Sequence, residues 1–305
     1  MARVRERGFP TDPEPLPIAV ADNHTHLESI AHVLPDDAPV PTVSDHIARA
    51  AAAGVDRIVQ VGCDLLSARW TVEQLAVSDS GALVGALAIH PNEAVMHAGA
   101  HDVGPDGQTY APEPHHATSL DDAIAEIAAL ARANGRVRAI GETGLDYFRT
   151  GPRGAAVQRE AFRAHLALAR ELGLPVQIHD RDAHADVLAI LKADGAPERT
   201  VFHCFSGDEE MAREVAANGW YLSLAGPITY KANDELRRAA RAVPVTQLLV
   251  ETDAPYLTPL PFRGQPNAPF AVAHTVRALA EILEQPLETL CQAISDTSDR
   301  LYGSW

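Results

Sequence analysis

Short apolar runs alternate along the chain with longer segments of helical period. Eight runs read as strands, at 18–27, 57–63, 83–90, 137–146, 175–179, 200–205, 220–224 and 247–252. Between them lie Ala-, Leu-, Glu- and Arg-rich stretches such as 119–134, 155–172 and 209–218, whose apolar residues recur every three or four positions. Gly54, Gly135, Gly173 and Gly219 each stand just before the next strand and read as helix stops. Strands that alternate with helices through short connections must run parallel. Eight such units favour closure into a (β/α)8 TIM barrel, an α/β fold, over an open doubly wound sheet. The first strand also lacks the Gly-x-Gly-x-x-Gly turn of a dinucleotide fold.

No break in composition marks a second domain. The expected organisation is a barrel over 18–305 behind a flexible, Pro-rich lead-in at 1–17. One irregular stretch interrupts the alternation at 96–118, rich in Gly, Pro and His, including His97, His101, His115 and His116. It follows the third strand, on the loop face where barrel active sites form. It is read either as a substrate lid or extra metal site, or as a solvated insertion whose histidines do little.

Of the 305 residues, 46% are hydrophobic and 22% charged, enough for a sizeable core. No run approaches the roughly 18 apolar residues that a bilayer span needs. The N-terminus carries Arg3, Arg5 and Arg7 but no apolar signal core, so a cytoplasmic protein with no membrane partner is expected. Cys63, Cys204 and Cys291 are too few and too scattered for a disulfide framework and read as reduced thiols, with Cys63 and Cys204 expected to be buried. The net charge of −16 argues against a broad basic surface that grips duplex DNA. An enzyme that holds one strand end through metal ions and a few side chains remains open.

The chemistry lies where metal-capable residues fall. Asp22, His24 and His26 form Asp-x-His-x-His at the end of the first strand, where residues two apart share a face. Glu142 ends the fourth strand in Ile-Gly-Glu-Thr-Gly-Leu-Asp. His179 ends the fifth, His203 the sixth, and Asp253 the eighth in Glu-Thr-Asp-Ala-Pro-Tyr. Strand ends of a barrel open onto one face, so these side chains suit a mixed nitrogen and oxygen site for two divalent ions.

Asp-x-His-x-His-Leu, Ile-His-Pro, Gly-Glu-Thr-Gly-Leu-Asp-Tyr, His-Cys-Phe-Ser-Gly and Glu-Thr-Asp-Ala-Pro-Tyr-Leu, in this order from about residue 18 to 300, resemble the TatD family of metal-dependent deoxyribonucleases, within the amidohydrolase-like barrels. The resemblance implies that His24, His26 and Asp253 hold one metal, His179 and His203 the other, and that Glu142 bridges them. It implies catalysis by Asp253 and Glu142, with water activated by two cations (Mg, Mn or Zn) and with Asp253 as the general base. It also implies an exodeoxyribonuclease acting on single-stranded or frayed DNA ends. Substrate contacts are expected from His90 in Ile-His-Pro, Arg263 in Pro-Phe-Arg-Gly-Gln-Pro-Asn, Lys231, Asp146 and Tyr147, the last two placed in the loop after the fourth strand.

The chain departs from the family wording at Thr25, where cysteine is common, and at Glu28, where aspartate is common. At 265–268, Gln-Pro-Asn-Ala replaces a more basic pattern. The alternatives are a bimetallic hydrolase of another ester or amide (an aminoacyl ester, a lactone or a small phosphate ester) and a non-catalytic metal-binding protein. A lactonase or phosphotriesterase commonly bridges its metals with a carbamylated lysine, and the fourth strand carries no lysine. A monomer is the simplest expectation.

Overall fold

The computed structural model describes residues 8–78, 81–303 and 305. Its elements are β1 (Val20–Thr25), α1 (Leu27–Ile30), α2 (Val43–Ala52), β2 (Val55–Gly62), α3 (Leu65–Val77), β3 (Leu83–Leu87), α4 (Pro91–His97), α5 (Leu120–Ala133), β4 (Val137–Asp146), α6 (Pro152–Leu172), β5 (Val176–Arg181), α7 (His184–Asp194), β6 (Thr200–Phe202), α8 (Glu209–Ala217), β7 (Tyr221–Leu224), α9 (Asp234–Arg241), β8 (Leu248–Val250), α10 (Val272–Leu283) and α11 (Leu287–Tyr302). Strand order follows chain order, the (β/α)8 arrangement that the apolar periodicity predicts. Strands β1 to β4 and β6 to β8 have most of their residues buried, as parallel strands covered on both faces require.

Several strands are shorter than their apolar runs, β6 and β8 among them. β6 stops at Phe202 and β8 at Val250. Just beyond them, Cys204 and Asp253 adopt positive φ of 43° and 51°, a conformation that cannot continue extended pairing. The helices begin at residues suited to capping. Thr42 accepts from Asp45 N–H in a capping box, and Ser119 and Asp208 accept from Asp122 and Met211 N–H. Gly173 closes α6 in the left-handed conformation at φ 62°. Gly135 does not act in that way: α5 ends at Ala133, and the Asn134 side chain makes the turn by accepting Arg136 N–H.

The residues group into two compact units. The first comprises Met1–Gln60, Gln74–Val84 and Gly207–Trp305, and the second Val61–Glu73 and Gly85–Ser206. In the first, β1 pairs with β2 and β7 with β8, all parallel. Residues from the two ends of the sequence are joined here: Thr25 bridges Ala254, and the buried Asp22 carboxylate accepts from Thr252 N (2.8 Å) and Thr252 Oγ1 (2.6 Å). Within the expected lead-in, residues 1–7 lie outside the described residues. Those that follow are anchored. Leu16 is buried, Arg49 donates to Asp12 and to the Pro10 carbonyl, Arg277 donates to the carbonyls of Glu14 and Pro15, and the Phe9 ring meets Phe270 edge-on.

In the second unit β3, β4, β5 and β6 pair as a parallel set, with register shifts at Gly85/Ala86 and Gly141/Thr143. Gly144 sits opposite His179, and any Cβ at that position would fall 2.0 Å from the His179 carbonyl oxygen. Only glycine lets the strands approach this closely, and its φ of 144° suits no other residue. The insertion is tied down at its middle. The Asp102 carboxylate accepts N–H bonds from Gly151, Arg153 and Gly154 and so caps α6. Cys63 and Cys204 are half-buried rather than buried, since both stand where strand gives way to turn, while Cys291 on α11 is fully buried; all three are free thiols. No helix among the described residues is long and apolar enough to cross a membrane.

Candidate metal centre

In the first unit, β1 and the turn after β8 bring three of the expected ligands together. His24 Nε2 and His26 Nε2 lie 3.2 Å apart, and Asp253 Oδ1 is 3.5 Å from His26 Nε2 and 4.0 Å from His24 Nε2. Both rings are buried, and Asp253 retains a partly exposed side chain (14%). The backbone fixes this meeting, because Asp253 N–H donates to the His24 carbonyl and His26 N–H to that of Ala254. Glu28 stands behind His26, its Oε1 3.9 Å from Nδ1, and its Oε2 accepts from Gln60 Nε2 at 2.6 Å. Burial raises the Glu28 carboxyl above its ordinary range.

In the second unit, β4, β5 and the residue after β6 supply a second set around one carboxylate; Glu142 does not end β4, which runs on to Asp146. Glu142 Oε1 lies 2.6 Å from His179 Nδ1, 2.8 Å from His203 Nε2 and 3.6 Å from His90 Nε2. Burial opposes ionisation of Glu142, yet the facing His203, His90 and His179 rings hold its carboxyl well below the usual range. His179 is held between two carboxylates, with Nε2 3.3 Å from Asp146 Oδ2. Burial would lower its pKa, but Asp146 and Glu142 push it up to about 9. Two buried carboxylates converging on one imidazole make a charge arrangement that suits a dication.

Both sets fit divalent metals by donor chemistry: imidazole nitrogens with one or two carboxylate oxygens. His24 Nε2 and His26 Nε2, 3.2 Å apart, share a hydrogen bond whose direction the tautomers decide.

The remaining expected residues divide by position. Asp146 is not in a loop. It is the last residue of β4, because the strand runs on in register with β5 as far as Arg181. Its carboxylate also accepts from Asn92 Nδ2 and from the N–H groups of Phe148 and Arg149. His90 caps α4, and its Nδ1 accepts Asn92 N–H at 3.1 Å. Its hydrogen is therefore on Nε2, facing Glu142. The Tyr147 hydroxyl is engaged elsewhere, donating to Asp186 Oδ2 (2.6 Å) and accepting from Arg159 (2.9 Å). Lys231 and Arg263 line a cleft of about 370 Å³ with Tyr230 and Asn233, and the Arg263 guanidinium lies 4.5 Å from the centre of the Tyr230 ring.

Residue types alone miss three supporting groups. Asp22 anchors β1 to Thr252, Asn92 holds Asp146, and Gln60 holds Glu28. Asp22 stands in the first motif but reads there as a ligand-type residue. Burial raises its pKa to about 8 against the opposing Thr252 bonds.

A family model described as TatD related DNase matches residues 21–303. The chain belongs to the TatD family. The uncharacterized metal-dependent hydrolase TatD of Mycobacterium tuberculosis is 42% identical over 288 residues, covering 93% of this chain and 98% of its own. The uncharacterized metal-dependent hydrolase YabD of Bacillus subtilis is 34% identical over 283 residues, covering 92% and 98%. Among solved structures, the TatD homologue YjjV of Escherichia coli superposes with a TM-score of 0.75 at 26% identity, covering 93% of this chain and 97% of that one. This TatD-family protein is accordingly a metal-dependent hydrolase of the (β/α)8 barrel class.

Proposed function

We propose that this TatD-family chain hydrolyses phosphodiester bonds of DNA, removing nucleotides from single-stranded or frayed ends. The observation that carries the reading is the presence of two imidazole–carboxylate sets, His24–His26–Asp253 and Glu142–His179–His203, in a chain matched by a TatD related DNase model. The family resemblance assigns one cation to each set, with Glu142 shared. Two divalent cations (Mg, Mn or Zn) supply charge that offsets the negative charge growing on the phosphoryl and leaving oxygens, and they acidify water.

The protein's own side chains do the rest. Asp253, with its carboxylate partly open to solvent, takes the proton of the attacking water as general base. His90 presents its Nε2–H to a phosphate oxygen. Arg263 and Lys231 hold the next phosphate along, with Arg263 fixed in place by stacking on Tyr230. Asp146 positions His179.

One observation favours a second reading, a bimetallic hydrolase of a small ester. The chain carries −16, and its 265–268 segment has no basic side chain, so few cations are available to follow a polynucleotide.

The test is cleavage of 5′- and 3′-labelled single-stranded DNA by chelator-stripped protein, with Mg, Mn and Zn restored separately and Asp253→Asn alongside. The expected result is a ladder from one end that needs metal and drops about 10²–10⁴-fold in the variant, the range for loss of a positioned proton acceptor. No cleavage by metal-loaded protein, together with turnover of small esters, sinks the DNA reading in favour of the second.

A further inference from the structure

The insertion between α4 and α5 gathers histidines that the proposed reaction does not use. His97 closes α4, and His115 and His116 sit on the single turn 114–117. One ring nitrogen from each lies within 4.8 Å of the others. All three side chains are nearly inaccessible: His97 as a residue is 7% exposed, and the His115 and His116 side chains 8% and 5%. The rings meet closely, with centroids 4.0 Å apart for His115 and His116 and 5.0 Å for His97 and His116.

Hydrogen bonding fixes where the lone pairs point. His97 Nδ1 donates to the Thr118 carbonyl at 2.8 Å, so Nε2 carries the lone pair; it is buried with no hydrogen-bond partner among the described residues. His115 Nε2 and His116 Nε2 both face Glu93 Oε2, at 3.3 and 2.7 Å. That one carboxylate oxygen accepts the hydrogen of both rings. That leaves the lone pairs on the Nδ1 atoms. His115 Nδ1 is buried without a hydrogen bond, 3.8 Å from Glu113 Oε2, and His116 Nδ1 accepts Glu113 N–H at 2.7 Å.

We propose that His97, His115 and His116 form a separate site for a transition-metal dication such as Zn²⁺, distinct from the two imidazole–carboxylate sets. His97 Nε2 and His115 Nδ1 present lone pairs that nothing among the described residues satisfies, an expensive state for buried polar atoms. Each ring hands its other N–H to an oxygen, Thr118 for His97 and Glu93 for His115 and His116, as histidines bound to metals regularly do. The third ligand, His116 Nδ1, becomes available when it gives up the Glu113 N–H. Cation entry is therefore coupled to opening of the 114–117 turn, which also frees the Glu113 carboxylate to approach as a fourth donor. A set this rich in imidazole selects zinc, nickel, copper or cobalt over magnesium.

The site does not depend on the DNase reading, and its test is separable from it. Chelator-stripped full-length protein is dialysed against zinc and its metal content measured, for the wild type, His97→Ala/His115→Ala and His24→Ala/His203→Ala. Circular dichroism confirms the fold of each. The expected result is one zinc fewer per chain in His97→Ala/His115→Ala than in the wild type, with that same equivalent kept in His24→Ala/His203→Ala. If the first double variant does not fold, His116→Gln gives the same reading. Equal zinc content in the wild type and in the folded insertion variants overturns the proposal, whatever happens to DNA cleavage.

Discussion

At the scale of single residues, charge is governed by burial, and the two kinds of buried histidine behave oppositely. His179 sits between carboxylates and is pushed up to about 9, whereas His165 has no countercharge and burial lowers it to about 4. His165 Nε2 accepts Ile89 N–H and its Nδ1 donates to the Ala161 carbonyl, so it is locked neutral between α6 and the chain after β3. Its folded pKa lies below the unfolded value of about 6.5, so the unfolded chain binds the proton first as pH falls. The stability contributed by the neutral ring is full above pH 6.5 and is lost between there and pH 4, to a total on the order of 3 kcal/mol. Urea unfolding across this window should show that loss in the wild type and a shallower slope in His165→Gln. Equal slopes would refute the assignment. His165 gives no sign of this in the sequence, where it is one histidine in a helical stretch. The motif residues His24, His26, Glu142, His179, His203 and Asp253 stand out because several strand ends deliver ligand types in order. The Asp146 contact with His179 was hidden, because Asp146 was placed in the loop although the apolar run itself reaches it.

At the scale of elements, period and punctuation made the strands legible. Apolar runs marked all eight strands, and the fourth agrees end to end at Val137–Asp146. What composition cannot carry is where pairing stops. The left-handed turns at Cys204 and Asp253 depend on the surroundings, so β6 and β8 came out shorter than their runs. Gly135 looked like the other helix-stopping glycines, yet Asn134 makes that turn with its own side chain. Among the motif glycines, Gly144 has the clearest structural duty. Gly144→Ala places a methyl against the His179 carbonyl at a φ that only glycine favours. The backbone strain alone is worth about 1–3 kcal/mol, and β5 must move where His179 leaves it. The expected outcome is a lower urea midpoint together with weaker metal retention. A variant with unchanged metal affinity would show that the strand spacing does not position His179.

At the scale of the whole molecule, stability should depend on cations. Each ion that binds the folded chain and not the unfolded one adds RT ln(1 + [M]/Kd), about 2.7 kcal/mol at one hundred times Kd. Thermal unfolding with and without chelator should therefore differ by several degrees, and the difference should shrink in Glu142→Gln, whose side chain no longer carries the charge between His179 and His203. A chelator-independent Tm would count against structural occupancy of either set. The joining of the two sequence ends has a further consequence, for the chain as it is made. Asp22 finds Thr252 across 230 positions, and Arg277 reaches Glu14 across 263. At a synthesis rate of about 5–20 residues per second, β1 meets β2 early, but Asp22 and Phe9 wait for tens of seconds for Thr252 and Phe270. The stretch from β3 to β6 finds its pairings within itself and need not wait. Nascent chains stalled at increasing lengths should therefore gain protease resistance first around Gly85–Ser206. Protection of the N-terminal residues should appear only after residue 277 has left the ribosome, so the growing chain needs shelter at its beginning until its end arrives.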